Sequence, residues 1–185
     1  MIDRKEASAA LSEIDDMVQR VRQSRIYELA SQFMVVAGVF VVVGNLATYV
    51  EPRYSAVIWP AVNVLTIAIS AIISVYDHRR TGLRSFDARV LIAIVLFYGF
   101  GVLCSVVLAH YGPREMGTFW PIYFMLFYCI AGLWFGRAFI VIGLAITVLT
   151  LVGYFFITGF IFLLWMAVVN GGGLIVSGLW MRWGE

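Results

Sequence analysis

Residues 138–181, AFIVIGLAITVLTLVGYFFITGFIFLLWMAVVNGGGLIVSGLWM, carry no formally charged side chain between Arg137 and Arg182. The run is 44 residues long, whereas a helix that crosses ~30 Å of hydrocarbon needs about 20 apolar residues. It is therefore long enough for two membrane-spanning segments that fold back near Ile157-Thr158-Gly159. Backbone polar groups must be paired within each segment in lipid, so the stretch predicts two transmembrane helices.

The rest of the chain divides at a similar interval. Uncharged runs of 22, 23, 24 and 21 residues separate Glu28 from Glu51, Arg53 from Asp77, Arg89 from Arg114, and Glu115 from Arg137. The gaps predict an all-α membrane protein with six spans at about 29–50, 54–76, 90–110, 116–136, 138–157 and 160–181. Only 13% of the residues are charged, against about 25% in soluble domains. This composition excludes the soluble, disordered and disulfide-scaffold classes.

The positions of the basic residues predict the orientation of the chain. Two lie in the loops that would face outward, Arg53 and Arg114. The other eleven fall in the termini and the opposite loops: Arg4, Lys5, Arg20, Arg22, Arg25, Arg79, Arg80, Arg84, Arg89, Arg137 and Arg182. Since cytoplasmic loops carry an excess of Arg and Lys, both termini are expected in the cytoplasm. We expect the protein in the plasma membrane, specifically a bacterial inner membrane.

Residues 1–28 are too polar for the apolar core of a signal peptide and predict a cytoplasmic amphipathic helix. Its apolar residues recur at 4-3-4-3 spacing and form a narrow seam: Ala7, Leu11, Ile14, Val18 and Val21. The helix is expected either to lie on the membrane surface or the protein's own inner loops, or to dock to another protein. In the second case Leu11, Ile14, Val18 and Val21 form the docking surface. Acidic and basic residues nearly balance here, which disfavours a purely electrostatic lipid anchor.

An internal repeat is visible at the ends of the even-numbered spans. Span four ends in Gly132-Leu133-Trp134 before Arg137, and span six ends in Gly178-Leu179-Trp180 before Arg182. Span two ends in Ser74-Val75-Tyr76. The repeat predicts three helical hairpins, each closing on the outer side.

This pattern resembles the HdeD-like six-span proteins of the bacterial inner membrane. The resemblance covers residues 30–183 and leaves the N-terminal helix outside it. The first hairpin departs from it most, because Ser-Val-Tyr stands in place of Gly-Leu-Trp. What the resemblance implies is a small membrane protein associated with stress or acid tolerance, with no catalytic residues to carry over.

The sequence disfavours an enzyme. It contains no nucleotide-binding loop, nucleophile elbow or metal-ligand spacing. His78 and His110 are expected on opposite sides of the bilayer, where they cannot share a metal or haem. We therefore expect no catalytic residue, no cofactor and no metal site. The basic loop at residues 77–84 is expected to contact anionic headgroups or a cytoplasmic protein partner, and not nucleic acid.

Neutral polar residues form a stripe that repeats between two spans. It comprises Asn63, Thr66 and Ser70 in span two, and Asn170, Gly173 and Ser177 in span six. Each set follows 3-4 spacing and so lies on one helix face. The stripe could serve helix packing, with the Asn side chains hydrogen-bonded between helices. Alternatively it lines a path for a neutral solute, and the glycine run at 171–173 would then mark a locally unwound helix.

These features predict a non-enzymatic membrane protein that acts through protein or lipid contacts. It would be an accessory, assembly or stress-related subunit within a homo- or hetero-oligomer. This expectation depends on the absence of ionisable residues in the middle of any span, since such residues usually mark ion and proton pathways. The alternative is a small transporter or channel for a neutral or amphipathic solute.

Overall fold

The chain is helical almost throughout. The computed structural model describes residues 4–81, 88–107, 110 and 112–183, and β-strands are absent from these ranges. A 3-10 turn at Pro52–Tyr54 and a π-helical segment at Ala167–Gly172 interrupt the α-helices. The α-helices are α1 Arg4–Val50, α2 Ser55–Thr81, α3 Ala88–Val107, α4 Pro113–Phe135, α5 Arg137–Phe156, α6 Ile161–Met166 and α7 Gly173–Trp183.

Several of these helices have the length and composition needed to cross a membrane. Within the described ranges there are five such segments: Gln23–Val50, Pro52–Asp77, Pro113–Phe135, Arg137–Phe156 and Ile161–Trp183. The last combines α6, the π-helical segment and α7, and is called the last span below. Ile92–Val107 in α3 is a shorter apolar helix. The predicted class, an all-helical membrane protein, is confirmed.

Helix α1 contains the predicted amphipathic helix and the predicted first span without a break. It has 47 residues, which corresponds to a length of ~70 Å at 1.5 Å per residue. The sequence explains this continuity, because residues 4–37 contain neither Gly nor Pro. Arg25 on α1 forms an ion pair with Asp77 on α2, with 3.2 Å between Nη2 and Oδ2. The polar residues near position 28 therefore do not end the helix.

The core lies between α1, α4, α5 and the last span. Its buried apolar side chains are Met34, Met125, Phe139, Ile142, Ile146, Val169, Leu174 and Met181. The most extensive packing joins α4 to α5, and α1 to the π-helical segment and α7. In its most apolar window α2 is only 6% buried, against 44% for the last span. Helix α2, which packs on α1, is therefore peripheral.

Two tight connections depend on glycine. A single residue, Gly136, joins α4 to α5, and its φ is +133°. A Cβ atom at Gly136 would also collide with the Tyr27 hydroxyl. Gly159, with φ +68°, lies between α5 and α6 in the segment that the sequence predicts as a turn. Residues that carry a side chain rarely adopt such φ values, so glycine permits both connections.

Candidate functional site

The most buried polar contact joins the last span to α5. Asn170 is 3% exposed and Thr150 is fully buried. The Thr150 hydroxyl donates to Asn170 Oδ1 over 3.4 Å, and Asn170 Nδ2 donates to the Met166 sulfur, also over 3.4 Å. An amide without partners would cost several kcal/mol in hydrocarbon. Here both ends of the amide have partners, and one of them crosses a helix interface.

Asn170 lies in the π-helical segment, next to a close crossing of two backbones. A Cβ atom at Gly171 would lie 2.8 Å from the Val42 nitrogen and 2.9 Å from the Gly38 oxygen on α1. At Gly172, a Cβ atom would meet no heavy atom within 4 Å. The helix continues through the glycine run as a widened, π-helical turn. The absence of a side chain at Gly171 lets α1 approach the last span closely.

The other predicted Asn lies at a different interface. Asn63 on α2 is half-buried and donates from Nδ2 to the Trp59 carbonyl oxygen over 2.8 Å. Its Oδ1 accepts from the Tyr98 hydroxyl of α3 over 3.5 Å. Asn63 thus contacts α3, whereas Asn170 contacts α5. The two halves of the predicted stripe have separate partners in the bundle.

The remaining stripe residues differ in their surroundings. Thr66 donates to the Val62 carbonyl oxygen over 2.8 Å, a bond within its own helix. Gly173 faces α5, where a Cβ atom would lie 3.3 Å from Ile146. Ser70 and Ser177 are both half-buried. The contact of Gly173 is therefore one of helix packing, whereas the hydroxyl of Thr66 is satisfied within α2.

Three further buried polar residues lie on α1, and the first of them, Ser31, is 2% exposed. Asn45 is 4% exposed and Thr48 is 6% exposed. Asn45 Nδ2 donates to the Val41 carbonyl oxygen over 2.9 Å, and the Thr48 hydroxyl donates to the Gly44 carbonyl oxygen over 2.7 Å. Both bonds satisfy polar atoms within the helix. Together with Thr150, they form a polar set that the stripe pattern does not identify.

Arg114 connects the start of α4 to the end of α5. Its Nη2 donates to the carbonyl oxygens of Tyr154 and Ile157. The guanidinium also lies 5.2 Å from the centre of the Tyr154 ring and 5.3 Å from that of Phe162. Its buried Nε has no hydrogen-bond partner. The sequence predicts Arg114 as an outer-loop charge, whereas the structure shows a cation that caps the carboxyl end of a helix.

A groove of about 370 Å³ lies between α4 and α5 beside this cap. Its walls are mainly apolar and aromatic, with one carboxylate, and include Glu115, Phe119, Leu151, Tyr154 and Phe155. The spacing of charged residues in the sequence does not predict this groove, because the groove forms only when α4 and α5 are packed together.

The predicted docking surface in α1 is described in part. Ile14 is 55% exposed and Val21 is 70% exposed. The side chains of Leu11 and Val18 lie outside the described residues, as do residues 82–84 of the predicted inner loop. Both described side chains of the predicted docking surface are therefore exposed.

The described part of the chain contains no group of three or more His, Cys, Asp or Glu that could hold a metal ion. Cys104 on α3 and Cys129 on α4 are free thiols.

Comparison with known proteins identifies no relative of this chain. No protein-family model matches it, and no curated protein or solved structure is significantly similar.

Proposed function

We propose that the protein is non-enzymatic, lies in a plasma membrane as a subunit of a larger assembly, and acts through contacts with other proteins and with lipid. The observation that carries this proposal is the use of the intramembrane polar groups. Asn63 bonds to Tyr98 of α3, and Asn170 bonds to Thr150 of α5. Bonds between helices hold the bundle together, which is the expectation for an accessory or assembly subunit.

The exposed apolar residues of α1 support a protein partner. Ile14, Met17 and Val21 are each more than half exposed. They belong to the part of α1 that precedes its membrane-spanning length, Gln23–Val50. Apolar side chains in this position favour docking to a cytoplasmic partner or to a second copy of the chain.

The proposal includes a six-span arrangement with both termini in the cytoplasm of a bacterial cell. The apolar part of α3, Ile92–Val107, would form the sixth crossing together with its flanking residues. The bias of eleven basic residues against two supports the orientation. The proposal also includes a stress-related role, based on the sequence resemblance to HdeD-like proteins. The repeating unit in it is a helical hairpin that occurs three times.

Cross-linking in native membranes tests the proposed function. A photoreactive residue at Ser24 should capture a second protein, or a second copy of the chain. Ile14→Glu combined with Val21→Glu should abolish this capture, and Gln23→Glu should leave it intact. If the protein with the photoreactive residue and an otherwise unchanged sequence gives no adduct and stays monomeric in mild detergent, the proposed function is refuted.

A second candidate is passage of a neutral or amphipathic solute, favoured by the π-helical segment beside Asn170. Such segments are frequent at functional sites, because a widened turn frees backbone groups. The double variant Asn63→Leu and Asn170→Leu separates the two candidates. Lost flux in vesicles with normal folding favours transport, whereas lost assembly or stability favours packing.

A further inference from the structure

The groove between α4 and α5 has mainly apolar and aromatic walls. Phe119 on α4 and Leu151, Tyr154 and Phe155 on α5 contribute apolar and aromatic surface. Its volume of about 370 Å³ is at the lower end of the ~300–1,000 Å³ range of ligand sites. It can therefore hold a segment of one hydrocarbon chain, but not a whole lipid.

One carboxylate lies in this apolar wall. Glu115 is half-buried in the first turn of α4. The described part of the chain forms two ion pairs, Arg25 with Asp77 and Arg53 with Glu51, and neither involves Glu115. Glu115 lines the groove together with the aromatic residues Phe119, Tyr154 and Phe155. A carboxylate attracts an ammonium group through direct charge, and the faces of aromatic rings in the same site add to this attraction.

The neighbouring residue adds the opposite charge. The Arg114 guanidinium stacks 5.2 Å from the centre of the Tyr154 ring, behind the groove wall. Its donors already bind the backbone carbonyls of Tyr154 and Ile157. A purely cationic amphiphile would be repelled by this charge, whereas a headgroup that carries both an ammonium and a phosphate would not. The charge arrangement therefore favours a zwitterionic ligand.

We propose that this groove binds a phospholipid with a primary ammonium headgroup, that is, an ethanolamine phospholipid. One acyl chain lies along Phe119, Leu151 and Phe155, and the ammonium donates to the Glu115 carboxylate. A choline headgroup cannot donate this hydrogen bond, and a glycerol headgroup has no positive charge. The inference rests on the proposed function, because it identifies the lipid contact that the proposed function leaves general.

Native mass spectrometry of the whole protein tests the inference. The delipidated protein is mixed with equal amounts of ethanolamine, choline and glycerol phospholipids that have identical acyl chains. Wild-type protein should retain the ethanolamine lipid over the choline lipid by about threefold, the value of a partly exposed ion pair. Glu115→Gln should remove the preference, and Glu115→Asp should keep it. Glu51→Gln is the matched control, because Glu51 pairs with Arg53 and does not line the groove.

A second variant tests the position of the acyl chain without altering charge. Leu151→Trp should fill the groove and reduce retention of all three lipids. The proposal is overturned if wild-type protein shows no headgroup preference, if Glu115→Gln keeps it, or if Leu151→Trp retains the ethanolamine lipid normally. It is also overturned if a single-chain alkylamine displaces that lipid at lower concentration than the lipid itself. Cross-linking at Ser24 tests the proposed function separately, so a failure of the lipid inference can be distinguished from a failure of the proposed function.

Discussion

Adding one methyl group at Gly171 tests the close backbone crossing between α1 and the last span. The new Cβ atom would lie 2.8 Å from the Val42 nitrogen and 2.9 Å from the Gly38 oxygen. Both are backbone atoms, which cannot rotate away as a side chain can. Overpacking of this kind costs about 1–3 kcal/mol, and the higher helix propensity of alanine returns at most ~1 kcal/mol.

The adjacent Gly172 is the matched control, since a Cβ atom there would meet no heavy atom within 4 Å. Gly172→Ala lies in the same π-helical segment and gains the same propensity, so its difference from Gly171→Ala isolates the crossing. We expect Gly171→Ala to be less stable than Gly172→Ala by about 1–3 kcal/mol. In a protein of this size that corresponds to a melting temperature lower by about 2–12 °C.

The measurement is unfolding of the purified protein in mild detergent, by added dodecyl sulfate or by heat. Tryptophan fluorescence reports it, because the chain contains six Trp residues. If the two variants unfold at the same midpoint, α1 and the last span do not cross at Gly171 in the manner described, and the packing argument fails there.

Three further substitutions test other contacts by the same unfolding measurement. Thr150→Val should destabilise the protein by about 1–3 kcal/mol, because the buried Asn170 Oδ1 loses its donor; a change within error would show that this bond contributes nothing. Gly136→Ala should cost about 1–3 kcal/mol through its positive φ and its collision with Tyr27, whereas Gly99→Ala, with open space around it, serves as control. Arg114→Met should cost about 1.5–3 kcal/mol, the value of hydrogen bonds to a charged group, and a neutral effect would contradict the capping role.

The helical membrane class was predictable because it depends on long-range composition. A charged side chain in hydrocarbon is so costly that the spacing of charges marks the ends of apolar segments. The same spacing predicts that the first span begins near Glu28, and α1 is one continuous helix through that position. Interfacial charges do not end a helix when no Gly or Pro accompanies them, and residues 4–37 contain neither.

The polar contacts were predictable only in part. Asn63 and Asn170 were identifiable from the sequence because an amide in a span needs a hydrogen-bond partner. Their partners Tyr98 and Thr150 were not, because they lie on other helices. Thr147 and Thr150 are the two Thr residues among the apolar residues of α5, and nothing in the sequence indicates that Thr150 faces Asn170. Arg114 was also undetectable as a helix cap, because the cap requires α4 and the end of α5 to be adjacent in space.

The packing of α1 on the last span has a consequence for biogenesis. Residues near position 38 meet residues near position 171, so this interface can form only after the last span has been synthesised. By contrast, α4 and α5 are joined by one residue and can pair as soon as both have entered the bilayer. Local contacts form early and distant ones late. Until the last span arrives, a nascent chain therefore exposes the Gly38 face of α1 to lipid and to other nascent segments.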